Sequence, residues 1–289
     1  MSEMSHIVTS KRTIADSHVF GGGPYIMGVV NVTPDSFSDG GEFLSVDKAI
    51  EHGLDLAREG AVILDVGGES TRPGAEAVDI ADEIDRIVPV IEGLKGKVPW
   101  VCVDTRNAKT MEAALKAGAS ALNDISALTH DSQSIYVAAE AQVPIFLMHM
   151  QGSPQNMQKN PSYNNVLGDV YEYLQERVSV CETHRIDASL IVCDPGIGFG
   201  KTLEHNLIML RNIKEFQGLG VPLLLGTSRK SFIGKISGDE PPNERIPGSL
   251  ASALWGLSQG VQIYRVHDVK ETVQAFKIYE AILSAGTEL

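Results

Sequence analysis

The chain has 289 residues, of which 43% are hydrophobic and 21% charged, and it carries a net charge of −13 with a pI near 5.0. These proportions are typical of a globular protein with a large core, and α/β barrels of this length form one domain. A general nucleic-acid-binding protein needs a basic face, so the acidic balance argues against that class. It does not argue against a small anionic ligand, which responds to local charge.

The cysteines and the hydropathy pattern predict a cytoplasmic protein. Cys102, Cys181 and Cys193 lie far apart with no CxxC pair, which excludes a disulfide framework and a zinc ribbon and suits a reducing cytosol. The N-terminal stretch lacks the apolar core of a signal peptide, and no apolar run reaches the length of a membrane span. We expect residues 1–20 to be a loosely ordered extension and expect no membrane partner.

Short apolar runs alternate with amphipathic stretches of helix length, which is the pattern of a parallel sheet. The predicted strands are Tyr25–Asn31, Ala61–Val66, Trp100–Asp104, Ala119–Asn123, Pro144–Met148, Leu190–Asp194, Pro222–Thr227 and Val261–Val266. The predicted helices include Ser45–Glu59, Ile80–Leu94, Ala108–Ala117, Tyr163–Cys181, Leu203–Phe216, Gly248–Gln259 and Val269–Leu283. This alternation predicts a single (β/α)8 TIM-barrel domain over residues 1–289, with a doubly wound open sheet as the structural alternative.

Polar or charged residues follow nearly every predicted strand, whereas the opposite strand ends carry Gly, Pro and Ala. Asp104, Asn123 and Asp194 are three such strand-end residues. In a TIM barrel these ends meet at one C-terminal rim, where active sites lie. A carboxylate there accepts two adjacent N–H groups and an amide offers one donor and one acceptor, which suits a flat, nitrogen-rich heterocycle. Each residue alone is more often a helix N-cap; the three together favour a ligand.

The segment from Asp194 to Thr202 contains Gly-Lys-Thr but does not match a phosphate loop. A Walker A loop requires glycine where Pro195 stands, and a dinucleotide fingerprint requires glycine where Lys201 stands. We interpret the segment as a flexible turn that presents the Asp194 carboxylate inward, with Phe199 as an apolar wall.

Cations follow the last two predicted strands, in Ser228-Arg229-Lys230-Ser231 and in Arg265-Val266-His267. Arg265 and His267 are two apart on extended chain and so point the same way. Loops after strands seven and eight are the common phosphate site of TIM barrels. The cluster predicts an anionic group attached to the heterocycle, and scattered surface bases are the alternative. The loop Asp65–Gly74 adds Arg72 as a further anion ligand or as surface charge only.

Eight segments of the chain resemble those of the bacterial dihydropteroate synthase family, in family order and spacing from about Tyr25 onwards. The segments are MGVVNVTPDSFSDGG, DVGGESTRPGA, VDTR, NDIS, LMHMQGSP, DPGIGFGKT, TSRKSFIG and RVHDVKET. The resemblance implies a TIM barrel that joins 6-hydroxymethyl-7,8-dihydropterin diphosphate to p-aminobenzoate, giving 7,8-dihydropteroate and diphosphate for folate biosynthesis. It also implies Mg²⁺ as cofactor, a homodimer, and sulfonamides as competitors. Arg106, Ser126-Ala127 and Thr227 depart from the commonest family pattern.

The resemblance also implies which residues bind each substrate. The pterin set is Asp104, Asn123, Asp194 and Lys230. The diphosphate set is Asn31, Arg265 and His267, with Asn31 also the magnesium ligand. The p-aminobenzoate set is Phe37, Thr71, Arg72, Pro73, Phe199, Lys230 and Ser231. The catalytic residues are Asn31, Lys230, Arg265 and His267, which act by positioning and by charge stabilisation without a protein nucleophile.

Two other functions are compatible with parts of this pattern. A methyltetrahydrofolate-binding methyltransferase barrel shares the pterin carboxylates but has little use for the cations or for the Thr71-Arg72-Pro73 loop. A non-catalytic pterin-binding protein has no need of a full diphosphate and metal set. We further expect Thr33–Gly41 to be a cover hinged at Gly40-Gly41. The sequence does not locate the dimer interface, although the helices around Leu250–Leu257 and Ala275–Leu283 are apolar enough to be candidates.

Overall fold

The computed structural model describes residues 18–33 and 41–285, without the side chains of residues 41–45. Phe37, most of the expected Thr33–Gly41 cover and residues 1–17 lie outside the described residues. The strands of the described chain form one parallel sheet. They are β1 (Tyr25–Asn31), β2 (Ile63–Gly67), β3 (Trp100–Asp104), β4 (Ala121–Asp124), β5 (Ile145–Met148), β6 (Ile191–Asp194), β7 (Leu224–Leu225) and β8 (Ile263–Val266).

A helix follows each strand, and two helices follow β7. The helices are α1 (Gly41–Glu59), α2 (Ile80–Leu94), α3 (Ala108–Ala117), α4 (Ser134–Ala141), α5 (Val166–Thr183), α6 (Leu203–Arg211), α7 (Ser231–Ser237), α8 (Ile246–Ser258) and α9 (Val269–Ser284). Within residues 18–33 and 41–285, no helix combines the length and the apolar character that crossing a membrane requires.

The sheet closes on itself. Its strands pair in the order β6-β5-β4-β3-β2-β1-β8-β7, so that each strand lies beside its neighbours in sequence. The two ends of this order meet where Cys193 of β6 forms a parallel bridge with Leu223, just before β7. The Cys193 N–H also donates to the Pro222 carbonyl at 3.0 Å. This closure confirms the predicted (β/α)8 TIM barrel and excludes the doubly wound sheet, whose strand order reverses at a switch point.

The barrel interior is a packed core because alternate residues of each strand point toward the axis. The buried inner side chains are Phe20, Met27, Ile63, Cys102, Ala121, Phe146, Val192, Leu224 and Ile263. Phe20 packs at the N-terminal end of the barrel, with its ring centroid 5.4 Å from that of Trp100 and 5.7 Å from that of Phe146. A second, larger apolar layer lies between the strands and the helices. This packing fills the lower barrel and leaves the C-terminal rim for polar groups.

The observed elements differ from the predicted ones where local signals are weak. β7 is confined to Leu224–Leu225, against a predicted Pro222–Thr227, because Pro222 has no N–H to donate and the chain beyond Gly226 turns into a loop. Helices α4 and α7 were not predicted. The first has eight residues with no side-chain cap, and the second has seven with a glycine inside it. Both are too short to show a periodic pattern.

Candidate active site

The pairing register places three predicted ligands at one level of the rim. Asn31 pairs with Gly67, Gly67 with Asp104, and Asp104 with Asn123. Paired residues of neighbouring strands project to the same side of a sheet, so these side chains face the barrel axis together. A side chain at Gly67 would come within 3.5 Å of the Asp104 Cβ, so the glycine leaves space between Asn31 and Asp104.

Arg265 joins the carboxylates at the centre of the rim. Its Nε donates to Asp65 Oδ2 at 2.6 Å and its Nη2 donates to Asp104 Oδ2 at 2.8 Å. Asn123 Nδ2 donates to the same Asp65 oxygen at 3.1 Å. Asp104 and Asn123 therefore point into the barrel and do not act as helix caps, since the cap position of α3 is Asn107. The guanidinium of Arg265, expected with the diphosphate ligands, lies among the pterin-set carboxylates.

Asp65 is a member of this cluster that the sequence reasoning did not assign to a ligand set. It is fully buried, and its Oδ1 atom has no hydrogen-bond partner among the described residues. Asp65 stands two residues after Ile63, whose side chain belongs to the inner core. A carboxylate at an inward position in the middle of an apolar strand was the signal that identifies it.

Burial and neighbouring charges set the protonation of the cluster. Burial, reinforced by Asp65 and opposed by Arg265, raises the pKa of Asp104 to about 8. Burial works against the charged Arg265, but Asp65 and Asp104 more than offset it and raise the pKa of the guanidinium above its usual range. Burial therefore makes Asp104 a weaker acid than an exposed aspartate, while the Arg265 guanidinium that donates to it favours the carboxylate form.

Asp194 is held in place by the turn that follows β6. Its Oδ1 accepts a hydrogen bond from the Gly196 N–H at 2.7 Å. Gly196 has a φ of +69°, and a Cβ there would lie 1.9 Å from the His149 carbonyl oxygen, so only glycine fits. Burial raises the pKa of Asp194, while the Lys230 charge and the Gly196 N–H act against it. The turn thus directs one carboxylate oxygen to the backbone and leaves the other for the pocket.

Lys201 fixes this turn from within. Its side chain is 2% exposed, and its Nζ donates to the Gly196 carbonyl at 2.9 Å and the Phe199 carbonyl at 3.1 Å. The same Nζ lies 3.0 Å from His149 Nδ1. The turn is therefore internally fixed, in contrast to the flexible turn that we expected. Because Lys201 faces its own loop, the Gly-Lys-Thr sequence does not form a phosphate loop, in agreement with the failed motif match.

Lys230 reaches from the loop after β7 to the loop after β6. Its Nζ donates to the Ile197 carbonyl and lies 4.6 Å from the centroid of the Phe199 ring. A side chain at Gly226 would lie 3.8 Å from this Nζ and 4.0 Å from Asp194 Oδ2, so the glycine keeps the space between them open. Burial lowers the pKa of Lys230 to about 8, with Asp194 opposing the shift. These groups form one wall of the pocket.

Ser228 holds His267 in place. The serine Oγ accepts from the backbone N–H of His267 at 3.1 Å and lies 3.0 Å from the ring Nδ1. This contact fixes the orientation of the ring and leaves Nε2 on the side away from Ser228. Burial, together with Arg265 and Arg229, lowers the pKa of His267 to about 4. The ring is neutral at pH 7 and presents an N–H donor. Ser228 was not among the predicted ligands.

The loops after β7 and β8 are tied together by Arg229 and Asp268. Arg229 Nε donates to Asp268 Oδ2 at 3.0 Å, and the Arg229 backbone N–H donates to Ser249 Oγ at 2.9 Å. Arg229 has a φ of +58°, a left-handed conformation that is uncommon for a residue with a side chain. The conformation turns the chain so that the neighbouring Lys230 faces the pocket.

The residues expected to bind p-aminobenzoate lie on two sides of the rim. Thr71, Arg72 and Pro73 are on the loop after β2, where Thr71 is half-buried and the other two are exposed. Ser231 is exposed at the first position of α7, next to the pair formed by Lys230 and Phe199. The charge of Arg72 is one of the smaller contributions that lower the pKa of His267.

Asn31 is the candidate magnesium ligand. Its side chain is half-buried at the end of β1 and has no hydrogen bond to any residue in the described ranges. Among those residues, no group of three or more His, Cys, Asp and Glu is arranged to hold a metal ion. Mg²⁺ prefers oxygen ligands and is commonly completed by substrate phosphates and water, and Asn31 offers one side-chain oxygen at the rim.

A TIM barrel with these carboxylate and amide groups at its rim matches one known class of protein. The sequence profile of the pterin binding enzymes matches residues 27–267, and the chain belongs to that family. Within it, the similarity is to dihydropteroate synthases, as the sequence indicated. The enzyme of Escherichia coli strain K12 is 45% identical over 263 residues, covering 91% of this chain and 93% of the relative. That of Bacillus subtilis is 46% identical, covering 90% and 89%.

Solved structures agree with this assignment. A dihydropteroate synthase of Xanthomonas albilineans with 4-aminobenzoic acid is 43% identical, with a TM-score of 0.86 over 91% of this chain and 94% of its own. A Yersinia pestis dihydropteroate synthase in a sulfonamide drug complex is 44% identical, with a TM-score of 0.85 over 91% and 95%.

Proposed function

We propose that the chain is a dihydropteroate synthase, which condenses 6-hydroxymethyl-7,8-dihydropterin diphosphate with p-aminobenzoate to give 7,8-dihydropteroate and diphosphate. The observation that carries the proposal is the contact between the two expected ligand sets. Arg265 of the diphosphate set hydrogen-bonds directly to Asp104 of the pterin set. A pterin bound by the carboxylates would therefore place its diphosphate beside the cations. All strands of the described barrel contribute to this rim, and we propose that the barrel is a single domain.

The pterin ring is bound by the buried polar groups of β3, β4 and β6. Asp194 and Asn123 accept and donate along the ring edge, and Asp104 adds a buried carboxyl group whose pKa is raised by burial. Lys230 closes one side, next to Gly226. Buried groups of this kind discriminate strongly, since a ring that lacks the matching donors leaves them unpaired.

The diphosphate is bound by Asn31, Arg265 and His267. Asp65 and Asp104 occupy two of the five N–H groups of Arg265, so the others are available to the leaving group. His267 is oriented toward the diphosphate by Ser228, whose Oγ lies 3.0 Å from the opposite ring nitrogen. Mg²⁺, held through Asn31 when bound, neutralises part of the charge that develops on diphosphate. Fixed donors aimed at a developing charge lower a barrier without rearrangement.

p-Aminobenzoate binds between the loop after β2 and the loops after β6 and β7. Arg72 and Ser231 are suited to its carboxylate, Phe199 to its ring, and Thr71 and Pro73 to its edges; Phe37 belongs to the same set and lies outside the described residues. The methylene C–O bond to diphosphate breaks and leaves a cation that the dihydropterin ring delocalises. The amine nitrogen then traps this cation by forming the new C–N bond and loses a proton. Positioning and charge stabilisation can together supply about 8 kcal/mol or more.

A homodimer and a cytosolic location complete the proposal. Exposed apolar side chains on the two C-terminal helices, Trp255 on α8 and Ile278, Ile282 and Leu283 on α9, suit a subunit contact. Sedimentation at micromolar concentration tests the dimer, and a monomer there contradicts it. A reducing compartment suits the three free, buried cysteines.

The test of the function is the identity of the product. With both substrates and Mg²⁺, the purified protein should form 7,8-dihydropteroate, identified by mass. Methyl transfer from methyltetrahydrofolate would support the methyltransferase alternative. Binding of the pterin diphosphate without any product would support a non-catalytic pterin-binding protein.

Replacing His267 tests the diphosphate site. His267→Ala removes the imidazole ring and should raise the Kd for diphosphate by about ten-fold to 100-fold, since a hydrogen bond to a charged group contributes about 1.5–3 kcal/mol. The Kd for p-aminobenzoate should change much less. Calorimetric titration of each ligand measures both. A larger loss for p-aminobenzoate than for diphosphate would show that the anion site has been misplaced.

The activity of the enzyme should decline at alkaline pH because Lys230 loses its charge. Its pKa is lowered to about 8, so the cation is present below that pH and lost above it. We expect kcat/KM for the pterin diphosphate to fall as pH rises through about 8, because that parameter follows the ionisation of the free enzyme. In Lys230→Arg the fall should shift to much higher pH, since guanidinium stays charged. An unchanged pH profile would assign the limit to another group.

Sulfonamides should compete with p-aminobenzoate. The Thr71-Arg72-Pro73 loop carries no insertion, and the Yersinia pestis relative forms a sulfonamide drug complex. Initial rates at varied p-aminobenzoate should show competitive inhibition by sulfamethoxazole. A normal KM for p-aminobenzoate combined with no competition would contradict this expectation.

A further inference from the structure

The loop between β2 and α2, residues 68–79, is held at a few defined points. Beside it lies a cavity of about 190 Å³, lined by Ser70 and Ala75 of the loop and by Arg106 and Pro154 among others. A segment that borders an open cavity is not fixed by close packing on that side. The position of the loop therefore depends on its hydrogen bonds and ion pairs.

The strongest of these contacts is an ion pair between Arg106 and Glu69. Arg106 Nη2 lies 2.9 Å from Glu69 Oε2 and 3.1 Å from Oε1, and Arg106 Nε lies 3.3 Å from Oε2. The side chains are 10% and 7% exposed, so the pair is largely shielded from water. Glu69 Oε1 also accepts from the Val78 N–H at 3.2 Å, which links the two ends of the loop.

A second contact holds the far side of the loop. The Gly74 N–H donates to the Pro154 carbonyl at 2.9 Å. Thr71, Arg72 and Pro73 lie between this contact and Glu69. Their side chains are exposed or half-buried, so the two attachments determine where they stand relative to the rim.

We propose that Arg106 is a positioning residue for p-aminobenzoate. It contacts neither substrate. By hydrogen-bonding to both carboxylate oxygens of Glu69, it holds Thr71, Arg72 and Pro73 in the orientation that p-aminobenzoate requires. The inference rests on the proposed function, because it assigns p-aminobenzoate to that loop. The bidentate geometry belongs to arginine, since lysine offers one compact charge in place of a planar fork.

Three variants test the role: Arg106→Met, Arg106→Lys and the double variant Glu69→Gln/Arg106→Met. In Arg106→Met we expect the KM for p-aminobenzoate to rise about ten-fold, because small displacements of positioning groups are costly. The KM for the pterin diphosphate should stay within about two-fold. The thermal midpoint should fall, since Glu69 is left buried and unpaired. Arg106→Lys should restore part of the lost KM.

The double variant separates positioning from stability. It removes the unpaired charge, so the thermal midpoint should return toward that of the wild type. The ion pair that holds the loop remains absent, so the KM for p-aminobenzoate should stay high. Leu94→Ala is the matched control, because Leu94 is fully buried at the opposite end of the helix that the loop enters. It should lower the midpoint without changing either KM.

Two results would overturn the inference. The first is a double variant whose KM for p-aminobenzoate recovers together with its thermal midpoint, which would make the pair purely structural. The second is an equal rise of both KM values in Arg106→Met. Failure of the proposed function gives a different result, since the wild type itself would then form no dihydropteroate, and both proposals would fall together.

Discussion

Replacing Asp194 by asparagine is expected to lower kcat/KM for the pterin diphosphate about 100-fold or more, because truncating a buried charged partner costs about 2–5 kcal/mol. In the wild type, the Gly196 N–H donates to one carboxylate oxygen of Asp194, and the amide oxygen of the variant can still accept this hydrogen bond. The amide nitrogen then replaces the oxygen that faces the pocket, beside the Lys230 cation. The two N–H groups of this amide would face the N–H donors of the pterin ring. The negative charge that stabilises the Lys230 cation would also be lost.

The binding measurement is calorimetric titration with a pterin that lacks diphosphate. Asp187→Asn is the matched control, because Asp187 is exposed just before the N-terminal end of β6 and caps a short turn there. The control should bind the pterin like the wild type. If Asp194→Asn also keeps its affinity for this pterin within about two-fold, Asp194 does not bind the pterin ring and the pterin site lies elsewhere.

Arg265→Met is expected to affect stability and activity together. It leaves Asp65 and Asp104 buried without their shared counter-charge, and breaking a buried pair in this way costs about 3–5 kcal/mol. Activity should fall by about 100-fold or more, since the leaving group loses a fixed cation. Chemical denaturation and product formation measure the two effects.

The stability defect of Arg265→Met should depend on pH. Burial and Asp65 already raise the pKa of Asp104 to about 8, and Arg265 is the group that opposes the shift. Without it the folded protein binds this proton still more tightly than the unfolded chain. The defect is therefore greatest at alkaline pH and shrinks as pH falls and Asp104 becomes protonated.

A double variant, Asp65→Asn/Arg265→Met, checks the cause of the stability loss. It removes one of the two carboxylates and should recover much of the free energy of unfolding while activity stays low. A defect that is the same at all pH values, or that the second substitution does not reduce, would mean that the loss comes from packing of the arginine stem.

Periodicity was sufficient to predict the barrel. Strand-end chemistry singled out Asp104, Asn123 and Asp194 as candidate ligands, because a closed parallel barrel brings all C-terminal strand ends together. Their exact partners could not be found in the same way. Arg265 pairs with Asp65, which is 200 residues away, and that contact exists only because β8 closes beside β1, which pairs with β2.

Residues that act through another residue were the ones that sequence reasoning missed. Ser228 has no chemistry of its own in the reaction, yet its hydroxyl contacts both the backbone N–H and the Nδ1 atom of His267 and so orients the ring. Lys201 resembles a phosphate ligand in sequence, and only its burial among three acceptors shows that it holds a turn. Local sequence states what a side chain can do, whereas the direction in which it points depends on tertiary packing.

The central claim is that one rim holds a pterin diphosphate beside an amine that displaces the diphosphate. The most direct test is the rate of diphosphate release by the wild-type protein with Mg²⁺, measured with and without p-aminobenzoate. We expect release to depend on p-aminobenzoate and to yield one dihydropteroate for each diphosphate. Tight binding of the pterin diphosphate with no release on addition of p-aminobenzoate would contradict the account.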